Sequence, residues 1–188
     1  MRIFITGATG FIGSHVVQLA LQEGHEVVAL RRNGSTPRIK LDSQPEWIEG
    51  DLECNCRDAI KSCDALLHLA AYGVVDGMND WANCFRWNVH GSVKFLLQAI
   101  DMGVEHFVVC GSCFEYGRSG ERYEFIPVSA PLEPTGAYHS SKAAATMASL
   151  GLAVDHQLFL NVLRPFHVYG EGEDPKKFWA SLKKAALA

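Results

Sequence analysis

Tyr138-His139-Ser140-Ser141-Lys142 places a lysine four residues after a tyrosine. At the start of a helix that spacing brings both side chains onto one face, one turn apart. A free tyrosine ionises near pH ~10 and is a poor acid–base group at neutrality. A nearby ammonium favours the phenolate and draws that value down. Tyr138 can then give a proton to a carbonyl oxygen as hydride reaches the carbon, or remove it in the reverse direction. Ser112 follows an apolar run, and its hydroxyl can orient such a carbonyl and stabilise developing oxyanion charge. Either feature alone is ordinary, since solvated helix faces and turns carry both. Their weight comes from the combination with a glycine loop.

That loop is Gly7-Ala8-Thr9-Gly10-Phe11-Ile12-Gly13, lying between the apolar Ile3-Phe4-Ile5 and a stretch with helical spacing. Gly7 permits a sharp turn, Gly10 lets the backbone approach a pyrophosphate, and Gly13 lets the helix pack closely on the sheet. Unpaired N–H groups at the helix start hold phosphate charge, which makes Gly7, Thr9, Gly10, Phe11, Ile12 and Gly13 the candidate cofactor contacts. A carboxylate at the end of the second strand would bind a ribose 2′-hydroxyl. The chain has Arg31 there, eighteen residues after Gly13, and then Arg32. Guanidinium groups pair with a 2′-phosphate and stack on adenine, so NADP is favoured and NAD stays open. The plain alternative is that both arginines are solvated surface charges.

These side chains need a scaffold that carries them to one edge. Ile3–Ile5, Glu26–Leu30, Trp47–Glu49, Ala65–Leu69, Phe107–Cys110 and Leu158–Leu163 read as strands; residues 11–23, 58–62, 81–102 and 137–156 read as helices. Residues 111–136 form a loop rich in Gly, Pro and Ser. Near-continuous apolar strands separated by helices call for a parallel sheet covered on both faces, and right-handed crossovers make it doubly wound, an α/β Rossmann fold. Residues 1–170 are read as this dinucleotide-binding domain. Residues 176–188 are amphipathic, with Phe178, Trp179, Leu182 and Ala186 roughly on one side, and end on Ala-Ala-Leu-Ala. Residues 171–188 are therefore read as the beginning of a substrate lobe that is mostly missing, in a truncated chain.

A length of 188 residues suits one domain with a substantial core. With 17 basic and 21 acidic residues, nothing in the charge balance points to nucleic acid or an anionic membrane as partner. No signal peptide and no uninterrupted apolar run of about 18 residues is evident, so a cytoplasmic location is expected. In a core-rich, unsecreted chain the six cysteines are expected as thiols. Cys110-Gly-Ser-Cys113 is a C-x-x-C, but the sequence after it reads as a loop and not as the helix that lowers a reactive thiol's pKa. No metal is expected.

The residues resemble the extended short-chain dehydrogenase/reductases, the NAD-dependent epimerase/dehydratase group. The matching stretches are Thr6–Gly13, Gly50-Asp51-Leu52, His68-Leu69-Ala70-Ala71, Asn88–Gly91, Ser112 with Tyr116-Gly117, Tyr138-x-x-x-Lys142 and Leu163–Gly170, in family order over nearly the whole chain. The resemblance implies Ser112, Tyr138 and Lys142 as catalytic triad, with Lys142 also holding the nicotinamide ribose. It implies Asp51 and Leu52 near the adenine, Leu69, Ala70, Ala71 and Pro165 along the cofactor, and Asn88 as a structural or proton-relay position. Family members mostly act on nucleotide-linked sugars, and pairing of two long helices into a homodimer is common among them.

The stretch at Ser112 and the residue at His167 depart from the family pattern. The sugar-nucleotide dehydratases read Thr-Asp-Glu-Val-Tyr-Gly around Ser112; this chain reads Ser112-Cys113-Phe114-Glu115-Tyr116-Gly117, with no Asp and a Glu out of step, which argues against dehydration. His167 stands where Arg-Pro-Phe-Asn would place Asn, as a substrate contact or a hydrogen-bonded core histidine. The leading expectation is an NAD(P)-dependent epimerase or ketoreductase of a nucleotide-sugar. Arg31 tilts it towards a reductase consuming NADPH. A non-catalytic dinucleotide sensor, or an inactive truncated product, is the alternative.

Overall fold

The structure is a computed structural model and describes residues 1–74 and 79–187. Ala188, the last residue of the stretch expected to begin a substrate lobe, lies outside the described residues. Six strands, β1 (Arg2–Thr6), β2 (Glu26–Arg31), β3 (Glu46–Glu49), β4 (Ala65–His68), β5 (His106–Cys110) and β6 (Phe159–Leu163), form one sheet in the order β3-β2-β1-β4-β5-β6. Every pairing is parallel, with Ile3 opposite Val27 on one side and Ala65 on the other. The order reverses between β1 and β4, and the crevice above that switch point is where such sheets take ligands. The chain is a Rossmann fold, as the alternation of apolar runs indicated.

Alternate strand residues feed two cores. On one face Phe4, Leu66, Phe107 and Val109 pack with Phe95, Leu96 and Ala99 of α4 (Ser92–Asp101). Phe4 and Phe95 are fully buried with rings 5.6 Å apart, a contact that holds the glycine-loop strand to the long helix. On the other face Ile3, Ile5, Val27 and Ala29 pack under Val17 and Ala20 of α1 (Phe11–Gln22). That helix ends where expected: the amide of Glu23 bonds back to Leu19 and Gly24 adopts φ 79°.

Two expectations change. The sheet is not covered along its full width: Phe159, Asn161 and Leu163 of β6 are exposed on the α1 side, while Leu160 and Val162 pack into the other core. α6 (Phe178–Ala186) buries no residue and does not cover them. The long helix expected over 81–102 is interrupted. α3 (Trp81–Phe85) passes into a π-helical segment, Arg86–Gly91, before α4. One extra residue per turn rotates the side chains of α4 relative to those of α3, a device that periodicity does not reveal and that often marks functional sites. The remaining helices are the single turn α2 (Arg57–Ile60) and α5 (Ala137–His156).

Candidate active site

The glycine loop leaves β1 and enters α1 directly. Gly7 has φ 70°, and a Cβ there would lie 2.6 Å from the amide nitrogen of Ala70 and 2.7 Å from the carbonyl oxygen of Leu69. A Cβ on Gly13 would collide with the carbonyl oxygen of Gly7. Both positions therefore demand glycine for the turn and the close packing alone. α1 opens on Gly10 with no capping side chain and no acidic residue in its first turn. Among the described residues the amides of Phe11, Ile12 and Gly13 take no cap or turn hydrogen bond, whereas Ser14 bonds to Gly10. Three unpaired N–H groups at a positive helix end fit a pyrophosphate.

Thr9 reaches across the loop, its hydroxyl 2.7 Å from that of Ser35 beyond β2. Leu69, Ala70 and Ala71 follow β4 beside Gly7, and Ala70 donates to the Thr6 hydroxyl at 3.3 Å. Asp51 is exposed and caps the amide of Glu53 at 2.8 Å, while Leu52 is buried against Gly91. Arg31 is committed within the protein: it donates to Glu49 Oε1 at 3.0 Å and its guanidinium lies 5.0 Å from the Trp47 ring centre. Arg32 is exposed. The two arginines are thus not equivalent, and the 2′-phosphate argument shifts from Arg31 to Arg32.

Ser112, Tyr138 and Lys142 converge at the carboxyl edge of β5, all buried. Ser112 caps a one-turn 3₁₀ helix, Cys113–Glu115, and its Oγ accepts the Phe114 amide at 3.3 Å, leaving its proton for another partner. Glu115 closes the capping box by accepting the Ser112 amide at 2.7 Å. Its other oxygen accepts Arg164 Nε at 2.7 Å, and this carboxylate has no exposed surface. Tyr138 and Lys142 lie in the first turns of α5, Lys142 donating to the Cys110 carbonyl at 2.6 Å.

The ionisation of this pair differs from expectation. Burial pushes the Tyr138 phenol up to about 12, opposed by a hydrogen bond with Ser112 and reinforced by the nearby Cys110, Glu115 and Cys113. Burial also lowers the Lys142 ammonium, which the charge of Glu115 partly offsets. Desolvation outweighs attraction here because Lys142 is directed to the Cys110 carbonyl and both groups are withdrawn from water. In this state the site stores a proton on Tyr138.

Asn88 is a residue whose role the sequence left undivided. Buried in the π segment, it accepts the Tyr72 amide at 2.7 Å and donates to the Tyr72 carbonyl at 3.0 Å and to Ser141 Oγ at 2.9 Å. Ser141 in turn bonds the Tyr138 carbonyl at 2.8 Å, so Asn88 positions the start of α5. Pro165 accepts the Cys113 amide at 3.2 Å and thereby extends the β5–β6 pairing beside Ser112. His167 is not a core histidine: it is exposed and, among the described residues, makes no hydrogen bond. Missed altogether was the Glu115–Arg164 pair. The out-of-step Glu and the Arg of Leu163-Arg164-Pro165 were its only traces in the sequence. Cys110 and Cys113 have thiols pushed up by burial and no α-helix follows them, consistent with the loop reading.

Comparison with known proteins agrees with this geometry. The model of the NAD dependent epimerase/dehydratase family matches residues 3–188. The chain is 30% identical to dTDP-6-deoxy-L-talose 4-dehydrogenase (NAD(+)) of Aggregatibacter actinomycetemcomitans, over 98% of this chain and 68% of that protein. It is 26% identical to UDP-glucose 4-epimerase of Lactobacillus helveticus, over 93% of this chain and 54% of that one. Among solved structures, MoeE5 in complex with UDP-glucose and NAD superposes with a TM-score of 0.82 at 31% identity, covering 98% of this chain and 60% of MoeE5. The chain thus spans roughly half to two thirds of these relatives' length. With a glycine loop that only glycine fits and Ser112, Tyr138 and Lys142 gathered across the switch point, the chain belongs to the NAD-dependent epimerase/dehydratase family, the extended short-chain dehydrogenases/reductases.

Proposed function

We propose that this protein transfers hydride between a nicotinamide cofactor and a carbon of a nucleotide-linked sugar, as an epimerase or ketoreductase, with Tyr138 as acid–base group. The observation that carries the reading is the buried convergence of Ser112, Tyr138 and Lys142 at the carboxyl edge of β5. A redox sensor has no use for these groups. The cofactor, when bound, supplies or accepts the hydride and, when oxidised, brings a positive charge to the site. Tyr138 holds the proton that meets a carbonyl oxygen, Ser112 donates to that oxygen, and Lys142 binds the ribose and restores a nearby cation. The withdrawal of Tyr138 from water fits a group that waits protonated until such charge arrives.

Dehydration of the sugar is disfavoured, because Glu115 is engaged by Ser112 and Arg164 and Phe114 occupies the neighbouring position. NADP remains our reading of the cofactor, now resting on Arg32, with the Glu49 partner of Arg31 weighing towards NAD. We also assign residues 1–170 to the dinucleotide unit and 171–188 to the opening of the substrate-binding part, in keeping with an α6 that buries nothing. His167 stands exposed at the end of β6, where it is available to a substrate. A homodimer through α5 fits the exposure of Met147 and Val154. A cytoplasmic setting is part of the same reading.

Replacing Tyr138 with Phe tests the core of the reading. Turnover of UDP- or dTDP-hexoses with NAD or NADP is expected to vanish while cofactor affinity, measured by fluorescence titration, is retained. Unchanged turnover removes Tyr138 from the chemistry.

A further inference from the structure

The loop after β3 carries two thiols in contact. Cys54 Sγ and Cys56 Sγ are 3.0 Å apart, inside the usual contact distance of two sulfurs, with Cys54 half-buried and Cys56 buried. The loop is firmly held. Gln98 of α4, itself buried, accepts the Cys56 amide at 3.0 Å and donates to the Cys54 carbonyl at 3.0 Å, so one side chain grips the backbone of both cysteines. Arg86 pairs with Glu53, and the amide of Cys54 bonds to the Asp51 carbonyl at 3.2 Å. A Cβ on Gly50 would lie 2.6 Å from Cys54 Sγ, so the thiol sits directly against the turn that leads into Asp51 and Leu52. Those two residues are the candidate adenine contacts, and Gly50 is tied to the end of β2 through the Arg31 carbonyl at 2.9 Å.

We infer that Cys54 and Cys56 are a reversible oxidation site, a dithiol that a hydroperoxide converts to a disulfide and that thereby loosens dinucleotide binding. The assignment of the thiols stands on their contact alone; the effect on binding rests on the cofactor reading given above. Cys54, the accessible thiol, attacks the peroxide as thiolate, cleaving the O–O bond to give a sulfenic acid and one water or alcohol. Cys56 then displaces the hydroxyl as water and the S–S bond forms, so two thiols are oxidised by two electrons and one hydroperoxide is reduced. Burial and the contact with Cys54 raise the Cys56 thiol, so Cys56 is not the thiol that meets the peroxide. Bond formation closes the sulfurs from 3.0 Å to about 2.05 Å within a three-residue segment. Closing that distance draws on a backbone that Gln98 holds at both cysteines, and the load falls on the Asp51–Leu52 turn against which Cys54 lies.

The test treats the reduced chain with hydrogen peroxide, blocks remaining thiols, and examines the tryptic peptide Leu41–Arg57, which contains Cys54 and Cys56 and no other cysteine. Expected is the loss of two hydrogen masses, reversed by dithiothreitol and abolished in Cys54→Ser. NAD and NADP titrations of the same samples should show affinity about fivefold weaker after oxidation, the worth of one hydrogen bond, and no change in Cys54→Ser. Blocked thiols or sulfinic acid at both cysteines, with no disulfide, overturn the site. A disulfide formed with affinity unchanged overturns its coupling to the cofactor. Should the reduced chain bind neither dinucleotide, the cofactor reading fails while the peptide mass still decides the dithiol.

Discussion

Arg164→Met isolates the contribution of the buried pair beneath Ser112. Glu115 has no exposed surface and Arg164 only 16%, so removing the cation leaves a carboxylate in the interior with the Ser112 amide as its remaining partner. Breaking a buried pair from one side costs about 3–5 kcal/mol. The slight exposure of Arg164 and the retained Ser112 bond put this case near the lower end, at about 3 kcal/mol. For a chain of this size each kcal/mol moves the melting temperature by about 2–4 °C, so a drop of about 6–12 °C is expected. The double variant Glu115→Val with Arg164→Met removes both charges and fills their place with apolar atoms. It should recover most of the loss, since neutral replacement of a buried pair is often neutral or better. Near-ultraviolet circular dichroism melts of wild type, both singles and the double give the coupling. A single variant that melts within about 2 °C of wild type, or a double no better than Arg164→Met, refutes the claim that Glu115 is a buried charge that depends on Arg164.

The same geometry gives four further expected outcomes. His68 is fully buried and neutral, lowered to about 3 by burial and by Lys142; the unfolded chain binds its proton first, so the stability due to its burial is lost as pH falls from about 6.5 towards 3, at about 1.4 kcal/mol per pH unit. Urea melts across that range should show this slope in wild type and a flatter one in His68→Gln. Gly13→Ala drives a Cβ into the Gly7 carbonyl and should cost about 1–3 kcal/mol together with dinucleotide binding, read by titration; a variant that binds like wild type contradicts the close approach. Arg32→Ala should weaken NADP and spare NAD, and equal losses for both would return Arg32 to the solvated surface. Val154→Glu, on the exposed side of α5 at 78% accessibility, should turn the proposed homodimer into monomer in sedimentation velocity, and a wild type that already sediments as monomer removes the dimer reading.

The strands, the doubly wound parallel sheet and the glycine loop were legible because apolar runs of strand length alternate with helices that stop at Gly24 and after His156, and because geometry alone enforces Gly7 and Gly13. Tyr138 and Lys142 were legible for the same reason, being one turn apart on one helix. What the sequence concealed depends on contacts between distant segments. The π segment at Arg86–Gly91 adds one residue to a turn and leaves the apolar spacing nearly intact, so only the fold reveals that it presents Asn88 to Tyr72 and Ser141. Glu115 and Arg164 are 49 residues apart and meet only once β5 and β6 pair. The protonation of Tyr138 depends on how much water the surrounding fold removes. No spacing rule measures that.

The concealed parts form a connected support between the two halves of the candidate site. The Ala70 amide bonds to Thr6 under the glycine loop, and Thr6 Oγ1 meets His68 Nδ1 at 2.8 Å. His68 Nε2 meets Ser92 Oγ at 2.8 Å, and Ser92 donates to the Trp87 carbonyl inside the π segment at 3.3 Å. Asn88, the next residue, carries the connection through Ser141 to the backbone of Tyr138. Each of these buried polar groups has a partner, and leaving one unpaired costs about 1–3 kcal/mol, so the series resists rearrangement. Because Ser92 gives its one proton to Trp87, His68 Nε2 donates to Ser92, and the Nδ1 of the neutral ring is left to accept from Thr6, a role an imidazolium cannot fill. The strand that leads into the glycine loop and the helix that carries Tyr138 are therefore set in register by buried side chains outside the Ser112, Tyr138 and Lys142 group. That register explains why the chain commits a fully buried histidine to the end of β4.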